Sequence, residues 1–136
     1  MPAQLLKCID FATIPIGLGP NPRLIQAVKF SVFDHTGTPL ASSQVKTQGT
    51  FQGLDAGFRL EMTFRRPVRA VCMSLVHFAR APKVGFFSSA GTNVGTVTLA
   101  PTQNVAQEAV CTSPAIQRIV VTPPSDETLL LTLCFG

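Results

Sequence analysis

Phe58-Arg59-Leu60-Glu61-Met62-Thr63-Phe64-Arg65 decides the fold class. Apolar residues alternate one by one with charged or polar ones. In an extended strand successive side chains point to opposite faces, so this segment has one apolar face and one wet face. A helix would need apolar residues every three or four positions, and no segment sustains that period with caps. The alternation returns at Val28-Lys29-Phe30-Ser31-Val32-Phe33. It returns again from Thr128 to Phe135, where the phase groups Leu129, Leu131, Leu133 and Phe135. Further strands are expected over 5–11, 43–48, 68–78, 83–88, 94–99, 104–112 and 115–122, with at most one helical turn.

Turn chemistry separates these runs. Gly17-Leu18-Gly19-Pro20-Asn21-Pro22 is expected to be irregular, because its prolines lack donors and its glycines admit positive φ. Asp34-His35-Thr36-Gly37 reads as a tight turn, with Asp34 bonding its own backbone and Gly37 left-handed. Ala90-Gly91-Thr92-Asn93 reads as a hairpin link, and Pro123-Pro124-Ser125-Asp126 as the link between the last two strands. Short strands with turns every few residues predict an all-β fold: a two-sheet antiparallel β-sandwich, jelly-roll-like, with little or no helix, in one domain over 1–136. The phases predict that Phe30, Phe58, Leu60, Met62, Val71, Leu75, Leu131 and Leu133 are buried.

Composition narrows the function. The 136 residues are 46% hydrophobic and only 13% charged, against about 25% charged in an average domain. That excludes disorder and leaves a sparsely charged surface suited to contact with other proteins or with copies of the chain. A net charge of +4 is too small an excess for a nucleic-acid-binding face. No apolar run reaches the length of a membrane span. Met1 to Asp10 shows no basic, apolar and cleavage-site succession. The expectation is therefore a cytoplasmic protein, unless a signal was removed or export follows another route.

Catalysis needs a nucleophile, a base and an orienting group, or paired carboxylates. Seven carboxylates and two histidines do not assemble such a set by spacing. His35 lies in a turn. His77 ends an apolar strand and reads as a hydrogen-bonded core or rim histidine. Asp10 and Glu127 could approach one another if the first and last strands pair. No catalytic residue, metal ligand or cofactor is assigned, and no C-x-x-C motif is present. Cys8 and Cys134 both lie opposite their strands' most apolar face. They could meet across an antiparallel pair and form a disulfide.

Two residue sets could contact a partner. Arg59, Arg65, Arg66 and Arg69 form a basic cluster able to grip carboxylate or sulfate in bidentate fashion. Phe33 and Leu130, with Val76 and Phe78, fall on the phase opposite their core neighbours and are expected at a surface. Phe33, Phe51 and Phe87 are the aromatic residues whose alternation allows them to face outward, in a chain with no Trp and no Tyr.

Three stretches carry a resemblance. Cys8-Ile9-Asp10-Phe11 followed by Ile14-Pro15-Ile16-Gly17 looks like the first strand and loop of bacterial jelly-roll modules of the galactose-binding-like, carbohydrate-binding-module type. Ile116 to Val121, then Glu127 to Phe135, is similar to their last two strands. Phe87 to Val94 resembles their recurring hairpin. The resemblance implies a module that binds on a sheet face or at the loops of one end and is not itself an enzyme. The residues favour a non-catalytic interaction module that docks on a protein partner or self-associates as a homo-oligomer. The alternative is a lectin-like module with a glycan partner.

Overall fold

The period-2 segments become strands in the computed structural model, which describes residues 6–123 and 127–136. They are β1 (Lys7–Asp10), β2 (Gly17–Gly19), β3 (Arg23–Ile25), β4 (Val28–Phe33), β5 (Ser43–Gln48), β6 (Phe51–Asp55), β7 (Arg59–His77), β8 (Lys83–Phe87), β9 (Asn93–Thr98), β10 (Gln107–Thr122) and β11 (Thr128–Phe135). The helical element is a 3-10 turn, Phe11–Thr13. Asp10 caps it by accepting the Ala12 N–H at 2.9 Å.

The strands join one antiparallel hydrogen-bonded sheet that folds back on itself into two layers. β7 and β10 make this possible, because each serves in both layers. The first half of β7 lies between β4 and the end of β10, with Phe30 opposite Met62 and Met62 opposite Ile119. Its second half lies between β11 and the start of β10, with Met73 opposite Leu133 and Ala109. β8 and β9 extend the first layer beyond β10, and β3 borders β4. On the side opposite β7, β11 pairs first with β6 and then with β1, and β5 and β2 follow β6 in the second layer.

The crossing from layer to layer is a corner made by register breaks. Pairing of β10 with β7 shifts between Thr112 and Ile116 and again between Ile116 and Arg118. Extra residues at such points bend a strand and increase its twist. Pro67 sits at the bend, where no ladder donor is required of it. Gln117 Nε2 donates to the Phe64 carbonyl and ties the two bent strands together. Between the layers lies one apolar cluster. Val28, Phe30, Leu60, Met62, Phe64, Val84, Phe86, Ile119 and Val121 come from one side, and Ile9, Val45, Leu54, Val71, Met73, Leu75, Leu130, Leu133 and Phe135 from the other.

Several expectations change. The runs 58–65 and 68–78 are a single strand, as are 104–112 and 115–122, because the strands turn the corner without ending. Gly17–Gly19 is not irregular; it pairs with Ser43–Val45. β3 and β6 were not expected. Phe58 is half-buried in the turn before β7, with its ring edge-on to His35 at 5.6 Å.

The main correction lies in β11. Leu130 pairs with Leu75 and Thr132 with Ser74, so Leu131 is an extra residue with no opposite number. One inserted residue inverts the faces. Leu130 therefore points into the core and is fully buried, while Leu131 is only half-buried. Gly53 accommodates this bulge: a Cβ there would lie 2.6 Å from the Leu130 carbonyl oxygen and 3.1 Å from Leu129 Cβ. Val76, opposite Leu129, is also fully buried. The tight turn at Asp34 matches its reading, since Asp34 Oδ1 accepts from the Thr36 and Thr38 N–H groups and Gly37 has φ 81°. The turn over 123–126 falls largely outside the described residues.

Candidate binding face

The residues of β4, β7, β10 and β8 that alternate with the core residues form the outer face of the first layer. Cross-strand register sets them in rows. Lys29, Thr63, Arg118, Phe87 and Asn93 make one row; Ser31, Glu61, Val120, Gly85 and Thr96 make the next; Phe33 and Arg59 begin a third. The period of two thus carries residues distant in sequence onto one surface.

Glu61 is the centre of this face. Arg118 Nη1 donates to Glu61 Oε1 at 3.1 Å. Arg59 Nε lies 3.0 Å from Glu61 Oε2, but its N–H is not aimed at an acceptor. The Arg59 guanidinium carbon sits 4.1 Å from the centre of the Phe33 ring, and that of Arg118 5.1 Å from the centre of the Phe87 ring. The result is a strip, Phe33–Arg59–Glu61–Arg118–Phe87, that crosses four strands. At the usual strand spacing it spans about 14 Å. Phe87 also folds its ring over Gly85, where an added Cβ would meet Cε2 at 2.9 Å.

These contacts add little stability. Half-exposed ion pairs contribute about 0–1 kcal/mol and exposed cation–π contacts about 0.5–1 kcal/mol each. Their effect is orientation. They hold two aromatic rings, two planar forks of donors and one carboxylate in fixed relation. Such a face can stack the apolar side of a flat ligand and hydrogen-bond its rim.

The structure splits the partner residues expected from sequence. Phe33 and Arg59 meet on this face. Leu130 is in the core, so it contacts no partner. Arg65 and Arg66 are at the corner, beside Lys7 in a cleft of 420 Å³. Arg69 lies apart, next to Thr112, Ser113 and Pro114, with its main-chain N–H on the Gly136 oxygen at 2.8 Å. The sequence reading missed Glu61, Arg118 and Gly85. Glu61 was visible as an outward residue of β7, but its link to Arg118, 57 residues away, required the register.

The other chemistry resolves plainly. His77 is fully buried, with Nδ1 2.8 Å from the Ala79 carbonyl and Nε2 2.7 Å from that of Ala100. Asp10 lies opposite Thr132, away from Glu127, so the carboxylate pair does not form. Cys8 and Cys134 face each other with Cα atoms 4.1 Å apart and are joined as a disulfide. Cys72 and Cys111 are free. Burial pushes the Cys72 thiol up, with the Glu108 carboxylate adding to it, and burial alone does so at Cys111. Among the described residues no group of three His, Cys, Asp or Glu side chains could hold a metal ion.

No family model matches the chain, and no curated protein sequence does. Solved structures do resemble it. A family 6 carbohydrate-binding module is similar with a TM-score of 0.45 and 9% identity, over 96% of this chain and 92% of that one. A family 29 carbohydrate-binding module gives 0.47 and 7%, over 98% and 83%. A cleaved adhesin domain of Lys-gingipain gives 0.43 and 15%, over 96% and 89%. These are similarities of β-sandwich layout and assign no role to any residue.

Proposed function

We propose that the protein is a non-catalytic, lectin-like module that binds a glycan along the outer face of its first layer. The observation that carries this is the strip Phe33–Arg59–Glu61–Arg118–Phe87, prearranged by the Glu61 ion pairs and the ring over Gly85. A sugar ring offers an apolar C–H face and a rim of hydroxyls. Phe87 and Phe33 supply apolar surface for the first, and the guanidinium forks, Glu61 and Asn93 supply donors and acceptors for the second. A strip about 14 Å long suits an oligosaccharide better than a single ring. The protein-docking reading loses two of its four apolar residues, Leu130 and Val76, to the interior. It retains support from Ile16, Leu18 and Leu24, which are 59%, 73% and 74% exposed.

A glycan array followed by calorimetry on the best ligand tests this. Phe87→Ala should weaken binding about tenfold or more, which corresponds to about 1.4 kcal/mol. Arg118→Ala should do the same while leaving the unfolding midpoint nearly unchanged. An array with no retained glycan, together with a concentration-dependent mass in solution, would favour the docking reading.

A further inference from the structure

The cleft at the corner lies outside the proposed binding strip and has its own chemistry. Four segments wall it: Lys7 on β1, the turn Gln26-Ala27 between β3 and β4, the corner Phe64–Val68 of β7, and Phe135-Gly136 after β11. Its volume of 420 Å³ falls in the usual range for small-ligand sites, about 300–1,000 Å³. Lys7, Arg65 and Arg66 are all exposed around it, and among the described residues no Asp or Glu side chain lines it. Among the described residues none of the three cations makes an ion pair. Pro67 and Val68 and the buried rings of Phe64 and Phe135 supply apolar wall.

Charges of one sign are often placed on a sheet edge to block pairing with another chain. Arg65 and Arg66 sit instead at the corner, past the ladder with β4, which ends at Phe64, and inside the register break with β10 between Thr63 and Val68. Three cations thus line one concave site, with no Asp or Glu side chain among its described lining residues to pair with them. The opposite wall is also unusual. Gln26 and Ala27 hold φ of 48° and 65°. A two-residue hairpin turn of this hand normally uses glycine or asparagine. Non-glycine residues in this region persist where the surroundings over-determine them, often at ligand sites. Here the Arg65 N–H donates to the Ala27 carbonyl at 3.0 Å and fixes the turn against the corner.

We infer that this cleft is a second binding site, for a sugar ring carrying an oxyanion, with Arg65, Arg66 and Lys7 gripping the oxyanion and Pro67 and Val68 meeting the ring. Guanidinium forks match carboxylate and sulfate oxygens in bidentate fashion, and a neutral sugar leaves them unused. The site is independent of the outer strip, since Phe87 and Glu61 do not line it.

Binding of glucuronate, glucose 6-sulfate, glucose and inorganic sulfate to the whole chain, followed by chemical-shift changes at the corner amides, tests the inference. At least one of the two charged sugars should bind about tenfold or more tighter than glucose, and salt should weaken it as it screens the cations. Arg66→Gln and Lys7→Gln should each remove most of that preference, while Phe87→Ala should leave it intact. These side chains are exposed, so the folded spectrum should persist. Charged sugars that bind no better than glucose would overturn the inference. So would inorganic sulfate that binds as tightly as the charged sugars, since the ring would then contribute nothing. Loss of the charged-sugar preference in Phe87→Ala would place the oxyanion on the outer strip and overturn the separate site.

Discussion

Leu130 and Leu131 show how much depends on one residue. They are identical side chains at adjacent positions, and simple alternation puts Leu131 inside. The extra residue in β11 reverses this. Leu130→Ala should therefore cost about 2–5 kcal/mol, the range for a fully buried leucine, and Leu131→Ala clearly less. Urea unfolding of the two variants side by side checks the order, and equal losses would mean that the bulge is misplaced. Cys72 gives a second test at this scale. Its thiol is held above the ordinary value of 9.0 by burial and by Glu108. The folded protein keeps this proton more tightly than the unfolded chain does. The resulting stability is present below the ordinary value and lost as pH rises through the raised one. Alkylation of Cys72 near neutral pH should be slower than that of an unstructured cysteine peptide and should rise through the alkaline range. A rate matching the peptide at every pH would count against the raised value.

At the scale of elements, β1 is short and, among the described residues, pairs only with β11. Its side chains reach the core through Ile9, which is 2% exposed. The Cys8–Cys134 bridge fastens this strand across a separation of 126 residues. Closing so long a loop restricts the unfolded chain, and such bridges typically contribute about 2–4 kcal/mol. Reduction should lower the unfolding midpoint accordingly and raise hydrogen exchange in the β1 amides before those of β7. Thiol titration of the unfolded, unreduced protein should find two free thiols, Cys72 and Cys111. Four free thiols would remove the bridge and leave the strand pairing to stand on its backbone hydrogen bonds.

Across the whole molecule, β7 and β10 organise both layers. Both bend at the corner, and the bend places Arg65 and Arg66 in a cleft while Arg59 stays on the flat outer face. Four arginines clustered in sequence thus serve three surroundings. Gln117 at the same corner links β10 back to Phe64, a residue that lines the cleft. The expected apolar surface changes for the same reason. Val76 and Leu129 face each other across two central strands and are buried, while exposed apolar side chains appear at Leu18 and Leu24 on short edge strands.

Local alternation by itself determined the all-β class, β4 and β5, the inward set of the first half of β7, and the turn at Asp34. Each depends on side-chain direction or turn chemistry within a few residues, which the backbone imposes without long-range help. The faces of β11, the passage of β7 and β10 through Pro67 and Pro114, and the strands β2, β3 and β6 were decided by tertiary structure. A bulge or a corner is a relation between two strands, and an edge strand gains its hydrogen bonds from a neighbour already in place. The candidate face divides along the same line. Phe33, Arg59 and Phe87 were visible as outward residues, but only cross-strand register joins Glu61 to Arg118 and carries Arg65 and Arg66 away from them.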